Sequence, residues 1–137
     1  MTRPEVLRRR LAHLEAYLRV LQGLAGYSLD EFLSSPERYG AAERFLQLSI
    51  EAISDMAAHV ASDEGWGNFE RTRDLVNLFR ERDLVEEALS ERWLRMIGFR
   101  NLLVHDYLEI DRGRVYRVLQ ENLGDLEALS RVFVRFL

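Results

Sequence analysis

Three side chains capable of chemistry lie within the eight-residue segment Arg100-Asn101-Leu102-Leu103-Val104-His105-Asp106-Tyr107. Arg100 supplies a guanidinium, His105 an imidazole and Tyr107 a phenol. A guanidinium binds phosphate or carboxylate through a planar fork of donors, and an imidazole exchanges protons near neutral pH. The apolar residues around them need none of these groups for packing. The segment therefore predicts a site that recognises an anion and transfers protons.

Arg100 lies in the middle of an apolar face when the segment is projected on an ideal helix of about 100° per residue. The residues within about 60° of it are Trp93, Met96, Ile97, Leu103, Val104 and Tyr107. A buried guanidinium without a partner costs several kcal/mol, so Arg100 must meet an anion, a carboxylate or an interface. A purely structural ion pair with Asp55 or Glu51 is the alternative to a functional role.

His105 lies about 140° around the same ideal helix from Arg100, so one straight helix cannot point both side chains the same way. Either the backbone is distorted between Gly98 and Asn101, or the two groups meet across a cleft that includes a second subunit. Asn101 is a poor residue for a helix interior, which mildly favours distortion. General acid–base catalysis uses both a base and an acid, and two copies of the chain would supply His105 twice. A two-fold dimer is therefore expected.

A row of titratable residues, Glu51, Asp55 and His59, recurs every four residues upstream of this segment. On a helix such residues share one face. The simple interpretation is a solvated helix edge with a modest Asp55–His59 pair. The functional interpretation makes Asp55 a supporting residue of the site, because carboxylates often orient histidines.

The pattern of the chain is helical, with only two prolines and eight glycines among 137 residues. Apolar residues recur at helical spacing nearly throughout, which predicts an all-α fold. We expect a single domain over residues 1–137, a compact up-and-down bundle of four to five helices. A stripe of leucines in the first helix suits an intramolecular core better than a dimer seam. These leucines are Leu7, Leu11, Leu14, Leu18 and Leu21.

Helix boundaries are marked by capping residues and glycines. Pro4 suits a first helical position, and Gly23 and Gly26 are expected to end the first helix. Ser28 and Glu31 have the spacing of a capping box, which opens a short helical turn. Ser35 followed by Pro36 starts the longest helix, predicted to reach about Ala61, and a later helix begins around residues 85–88 and continues into the opening segment.

Composition excludes several classes of site. The chain has no cysteine, so disulfides and thiolate metal sites are excluded. No apolar run approaches the roughly 20 residues that span a bilayer, and the N-terminus lacks the apolar stretch of a secretory signal, so we expect no membrane partner and a cytoplasmic protein. The net charge of -4 disfavours a general nucleic-acid coat protein, and only a local basic patch could serve a polyanion. All 19 cationic residues are arginine.

The segment Met96–Tyr107 resembles the signature of HepT-like proteins, the HEPN-domain toxins paired with minimal nucleotidyltransferase antitoxins. Their motif is Arg, a polar residue, three further residues, His, any residue and Tyr, and it matches here without a gap. The similarity extends over nearly the whole chain. Further similar stretches are residues 27–33, 43–51, 53–55 and 122–127.

The resemblance implies metal-independent ribonuclease activity in a homodimer, with the motif lining a composite cleft. Arg100 would bind the scissile phosphate and stabilise the charge of the transition state. His105 would act as general base or acid. Asn101 would orient the phosphate or the histidine.

The resemblance also implies a regulatory partner. Tyr107 would accept AMP from ATP in a reaction catalysed by the cognate minimal nucleotidyltransferase antitoxin, and the added charge and bulk would exclude RNA. Mg²⁺ would belong to that reaction, so no cofactor and no metal are expected in this chain. Its partners would be RNA, a second copy of itself and the antitoxin, which could join it in a larger heteromeric complex. The alternatives are a noncatalytic helical module that dimerises and presents substrate to a nucleotidyltransferase, and a sequestering partner without any modification.

Overall fold

The fold is helical throughout the part of the chain that the computed structural model describes, which is residues 3–137 apart from the side chain of Tyr107. Seven α-helices occur there: α1 (Pro4–Ala25), α2 (Leu29–Leu33), α3 (Pro36–Asp63), α4 (Thr72–Glu81), α5 (Glu87–His105), α6 (Arg112–Glu121) and α7 (Leu123–Val132). Two 3-10 helices, Tyr107–Glu109 and Phe133–Phe136, complete the secondary structure. The all-α prediction is confirmed. No helix in the described ranges is long and apolar enough to cross a membrane.

The predicted capping residues open their helices as expected. Ser28 Oγ accepts a hydrogen bond from the Glu31 backbone at 3.2 Å, and Glu31 Oε1 accepts one from the Ser28 backbone at 2.9 Å, which completes the capping box of α2. Ser35 Oγ accepts from the Arg38 backbone at 3.3 Å at the start of α3. These bonds satisfy amide groups that have no partner within the helix.

The end of α1 differs from the prediction at Gly23, which was expected to help end this helix. The helix continues through Gly23 and ends at Ala25, with Gly26 as its C-cap. The Gly26 N–H donates to the Gly23 carbonyl at 3.2 Å, and the Tyr27 N–H donates to the Leu24 carbonyl at 3.3 Å. An interior glycine costs a helix only about 1 kcal/mol relative to alanine. Leu21 is fully buried and Leu24 packs against the core, and this burial outweighs the cost.

The core lies between α1, α3 and α5, with α6 and α7 closing the bundle. The leucine stripe of α1 is turned inward: Leu7, Leu14, Leu18 and Leu21 are buried and Leu11 is partly buried. The intramolecular role predicted for this stripe is confirmed. On α3 the buried residues occur on several sides, because this helix packs against most of the others.

An aromatic cluster joins the loop after α3 to α4, α5 and the C-terminal 3-10 helix. Phe79 lies at its centre and makes edge-on contacts with Trp66, Trp93 and Phe133 at centroid distances of 5.0, 5.7 and 5.6 Å. Edge-on packing is the geometry that aromatic rings prefer. The cluster fixes the N-terminal half of α5 against the bundle.

The turn after α4 places Asp83 in the left-handed region of backbone conformation, with φ 56°. Its backbone N–H donates to the Arg80 carbonyl at 3.0 Å, and the Leu84 N–H donates to the Phe79 carbonyl at 3.1 Å. These bonds satisfy carbonyls at the end of the helix. The position favours glycine, and an aspartate there is tolerated at some cost.

Candidate functional site

Helix α5 carries three of the predicted motif residues, Arg100, Asn101 and His105. It is continuous from Glu87 to His105, so the backbone distortion considered between Gly98 and Asn101 does not occur. Arg100 is half-buried, whereas Asn101 and His105 are exposed. Arg100 and His105 therefore point away from each other on one regular helix.

The α-helix ends at His105, earlier than the projection on an ideal helix assumed. The Asp106 backbone N–H donates to the Leu102 carbonyl at 3.0 Å, and a 3-10 helix follows over Tyr107–Glu109. The prediction that Tyr107 shares a helix face with Arg100 concerns a side chain that the structure does not describe, so it stays a prediction. The side chain of Tyr107 lies outside the described part of the structure.

Arg100 forms an ion pair with Glu51 of α3. One carboxylate oxygen of Glu51, Oε2, accepts from Arg100 Nε at 2.8 Å and lies 2.7 Å from Nη2. Both side chains are about 30% exposed, at 31% for Arg100 and 29% for Glu51. Of the two carboxylates proposed from sequence as a structural partner of Arg100, the structure selects Glu51.

Glu51 is held in its charged form by several neighbours. Burial raises the pKa of this carboxyl. Hydrogen bonds from Gln47 and Arg100 and the positive charges of Arg100 and Arg44 lower it, and their combined effect is larger, so the pKa lies below its ordinary value. Gln47 Nε2 donates to the same oxygen at 3.1 Å. The ion pair is therefore present at neutral pH.

Asn101 extends this network on the exposed side of α5. Its Oδ1 accepts from Arg100 Nη1 at 3.1 Å. A guanidinium has five N–H donors, and these contacts with Glu51 and Asn101 use one on Nε and one on each Nη group. The second N–H on each Nη group has no partner among the described residues, so Arg100 retains donors for an incoming anion.

Asp55 lies near Arg100 without pairing with it. Its Oδ2 accepts from Arg10 Nη1 of α1 at 3.1 Å. Asp55, Glu51, Arg100 and Asn101 all border a cavity of about 170 Å³ between α3 and α5. The structure thus brings Asp55 to the wall of the site, and its supporting role stays a prediction.

The predicted Asp55–His59 pair is wrong. His59 Nε2 lies 3.0 Å from Asp63 Oδ2 instead, one turn further along α3. Asp55 and Asp63 are both four residues from His59, so helical spacing alone could not choose between them. Among the described residues, no group of three or more His, Asp and Glu side chains could hold a metal ion.

Two residues around the site were not singled out from sequence. Gln47 is four residues before Glu51 on α3, and that spacing is a signal that could have been used. Arg10 reaches Asp55 from a helix 45 residues away in sequence, and no local pattern indicates that contact.

Comparison with known proteins places the chain in a family. A family model described as ribonuclease HepT-like matches residues 11–133. The chain is 35% identical to an mRNA nuclease HepT of Shewanella oneidensis over 82 residues, which is 60% of this chain and 62% of that protein. It is 32% identical to a tRNA nuclease HepT of Aphanizomenon flos-aquae over 120 residues, which is 85% of this chain and 79% of that protein.

A solved structure shares the fold. It is that of a tri-AMPylated Shewanella oneidensis HEPN toxin in complex with MNT antitoxin, with a TM-score of 0.87 and 26% identity. The match covers 95% of this chain and 97% of that chain. The predicted resemblance is confirmed, and the expectation of an RNA-cleaving enzyme is confirmed at the level of the family. This chain belongs to the ribonuclease HepT-like family.

Proposed function

We propose that this chain is a metal-independent endoribonuclease, the toxin of a HEPN and minimal nucleotidyltransferase pair. The observation that carries the proposal is the state of Arg100: a half-buried guanidinium fixed by Glu51, with donors left for an anion, on the helix that ends at an exposed His105. Family membership supports the same activity, because two relatives are named as nucleases of mRNA and of tRNA.

Arg100 is proposed to bind the scissile phosphate. Its free N–H donors would contact the non-bridging oxygens, where negative charge increases in the transition state. Glu51 would act as a positioning residue, since it fixes the guanidinium without using all of its donors. Asn101 would hold the other side of the guanidinium through Oδ1.

His105 is proposed to transfer protons. The 2′-hydroxyl of the RNA attacks the adjacent phosphorus, a base removes its proton, the bond to the 5′ oxygen breaks, and an acid protonates that oxygen. The products are a 2′,3′-cyclic phosphate and a 5′-hydroxyl. No metal ion is needed, because the guanidinium stabilises the charge and the imidazoles move the protons.

A second copy of the chain is needed to complete the site. On the continuous helix α5, Arg100 and His105 lie about 140° apart around the axis and about 7.5 Å apart along it. Two copies facing each other across a two-fold axis would bring the arginine of one subunit toward the histidine of the other. They would also supply two imidazoles for the base and the acid.

Tyr107 is proposed as the residue that the antitoxin modifies with AMP. It follows His105 by two residues, so an added AMP would bring bulk and negative charge to the place where RNA binds. The similar Shewanella toxin is tri-AMPylated and was solved with its MNT antitoxin. Intact mass after co-expression with a neighbouring nucleotidyltransferase tests this step. Tyr107→Phe should abolish AMP-sized increments, whereas Tyr17→Phe should keep them.

The central experiment is RNA cleavage in excess chelator. Arg100→Ala and His105→Ala should each lower the rate by at least about a hundredfold, the usual size of a lost acid–base or charge-stabilising group. Arg9→Ala and His13→Ala are matched controls, because both residues are exposed on α1, and they should retain full activity. Undiminished cleavage by either site variant would remove the catalytic assignment. Absence of cleavage by the wild type would favour the noncatalytic module.

A further inference from the structure

A groove between α5 and α6 is lined by four arginines. Arg92 and Arg95 come from α5, and Arg114 and Arg117 come from α6. The groove has a volume of about 300 Å³ and includes Glu121 in its wall. Its apolar floor is formed by Met96, Phe99 and Val118. We call this surface the arginine groove.

The arginine groove is positively charged on an acidic protein. Arg92 is paired with Asp125, with Nε 2.9 Å from Oδ1. Arg95, Arg114 and Arg117 are exposed, and none of them forms an ion pair within the described part of the chain. The chain as a whole has a net charge of -4. A local excess of guanidinium groups in a concave surface is the feature by which such a chain could attract a polyanion.

We propose that the arginine groove binds the phosphate backbone of the RNA substrate about four nucleotides from the scissile phosphate. The proposal rests on the proposed ribonuclease function. The groove supplies the local basic patch that an acidic, lysine-free chain needs in order to bind a polyanion. Guanidinium groups bind phosphates through paired donors, and several of them in a row contact successive phosphates of one strand.

The position of the groove on α5 determines this distance. Arg95 and His105 are ten residues apart on one continuous helix, which is about 15 Å along the axis and about 80° around it. At roughly 3.4 Å per stacked nucleotide, this distance corresponds to about four nucleotides. Around the helix the order is Arg95, His105, Asn101 and Arg100. His105 is therefore on the side of α5 nearer to Arg95, whereas Arg100 lies farther around the helix, about 140° from Arg95.

The surface between the groove and His105 is open. Gly98 is exposed and has no atom within 4 Å of the position of a Cβ, and Leu102 is 39% exposed. A second cavity of about 190 Å³ shares Phe99 and Arg114 with the groove, but Asp106, Glu109 and Asp111 also line it. These carboxylates would repel phosphates. We expect the strand to cross the exposed face of α5, which the dimer must leave open.

The test measures RNA binding without cleavage, in a His105→Ala background. Labelled single-stranded RNA of mixed sequence is titrated at several salt concentrations. Adding Arg95→Ala with Arg117→Ala should weaken binding about tenfold and reduce the slope of log K against log salt by about 1.4, which is two contacts at roughly 0.7 each. Arg95→Lys with Arg117→Lys should keep the slope, because the charges remain. Arg9→Ala with Arg73→Ala, two exposed arginines elsewhere, should leave both quantities unchanged.

Several outcomes would overturn the proposal. Unchanged affinity and slope in the Arg95/Arg117 alanine variant would do so. The proposal would also fail if the same variant bound RNA normally but no longer co-purified with a co-expressed nucleotidyltransferase. The groove would then be a surface for the protein partner. The proposed function can fail independently. If the wild type does not cleave RNA but the groove variants lose RNA affinity, the groove stands as an RNA-binding surface and the catalytic assignment falls.

Discussion

Glu51 holds Arg100 through a single carboxylate oxygen, which lies 2.8 Å from Nε and 2.7 Å from Nη2. The same oxygen accepts from Gln47 at 3.1 Å. The contact joins the middle of α3 to the C-terminal half of α5. It fixes the orientation of a guanidinium that is half-buried at the edge of the bundle.

Replacing Glu51 with alanine should separate binding from catalysis. The site would lose the negative charge that offsets the guanidinium, and the guanidinium would lose its fixed orientation, so kcat for RNA cleavage should fall about tenfold while KM stays equal or decreases. Glu51→Gln keeps an oxygen that can accept from Arg100 and should lose less activity. Steady-state kinetics on a labelled RNA measures both constants. A rise in KM with unchanged kcat would contradict the positioning role.

The same pair should contribute to the pH dependence of stability. The pKa of Glu51 is lowered in the fold from an ordinary value of 4.5, so its contribution to stability is complete above about pH 4.5 and is lost as the pH falls through the lower folded value. The free energy of unfolding of the wild type should therefore exceed that of Glu51→Gln at pH 7, and the difference should shrink below pH 4.5. Urea unfolding at a series of pH values measures it. Other acidic groups titrate in both proteins, so only the difference is informative.

Mixing two inactive variants tests whether the site is shared between subunits. In a mixed dimer, one subunit carries Arg100→Ala and the other carries His105→Ala. One of the two shared sites then keeps both an arginine and a histidine, and the other site lacks both. Random exchange of subunits should then restore measurable activity that stays below about one quarter of the wild-type value, because half of the dimers are mixed and each has one complete pair of Arg100 and His105 but lacks the second imidazole. Sites contained within one subunit would give no recovery. Exchange is checked by native mass spectrometry with one variant isotopically labelled.

The turn at Asp83 offers a stabilising substitution. Asp83→Gly should raise the free energy of unfolding by about 0.5–1 kcal/mol, because glycine adopts the left-handed conformation without steric cost. Asp83→Asn removes the charge near the helix end but keeps a side chain, so it separates the conformational effect from the electrostatic one. Asp83→Val should destabilise the protein. Equal stability of the glycine and valine variants in urea would contradict the argument.

Local features of the fold were predictable because they depend on neighbours in sequence. The capping box of Ser28 and Glu31, the start of α3 at Ser35 and the buried leucines of α1 all follow from spacing of a few residues. The end of α5 at His105 was not predictable in this way. Residues 105–110 contain neither glycine nor proline, so nothing local marks the change to a 3-10 helix.

The candidate site was predictable in its residue types but not in its contacts. Arg100, Asn101 and His105 stand out in a run rich in apolar residues, and Arg100 was expected to need a partner. The choice of Glu51 over Asp55 depends on how α3 packs against α5. Glu51 and Asp55 are one turn apart on the same helix face, and only the packing of the helices decides which one reaches the arginine. Asp55 instead pairs with Arg10 of α1.

Trp66 and Trp93 are the protein's two tryptophans, and both contact Phe79. Their emission therefore reports on a single location, the junction of α4, α5 and the C-terminal 3-10 helix. Trp93 lies twelve residues before His105 on α5, about 18 Å away along the helix axis. Intrinsic fluorescence consequently follows unfolding of the core at the end of α5 opposite His105, and it can be recorded without attaching a dye.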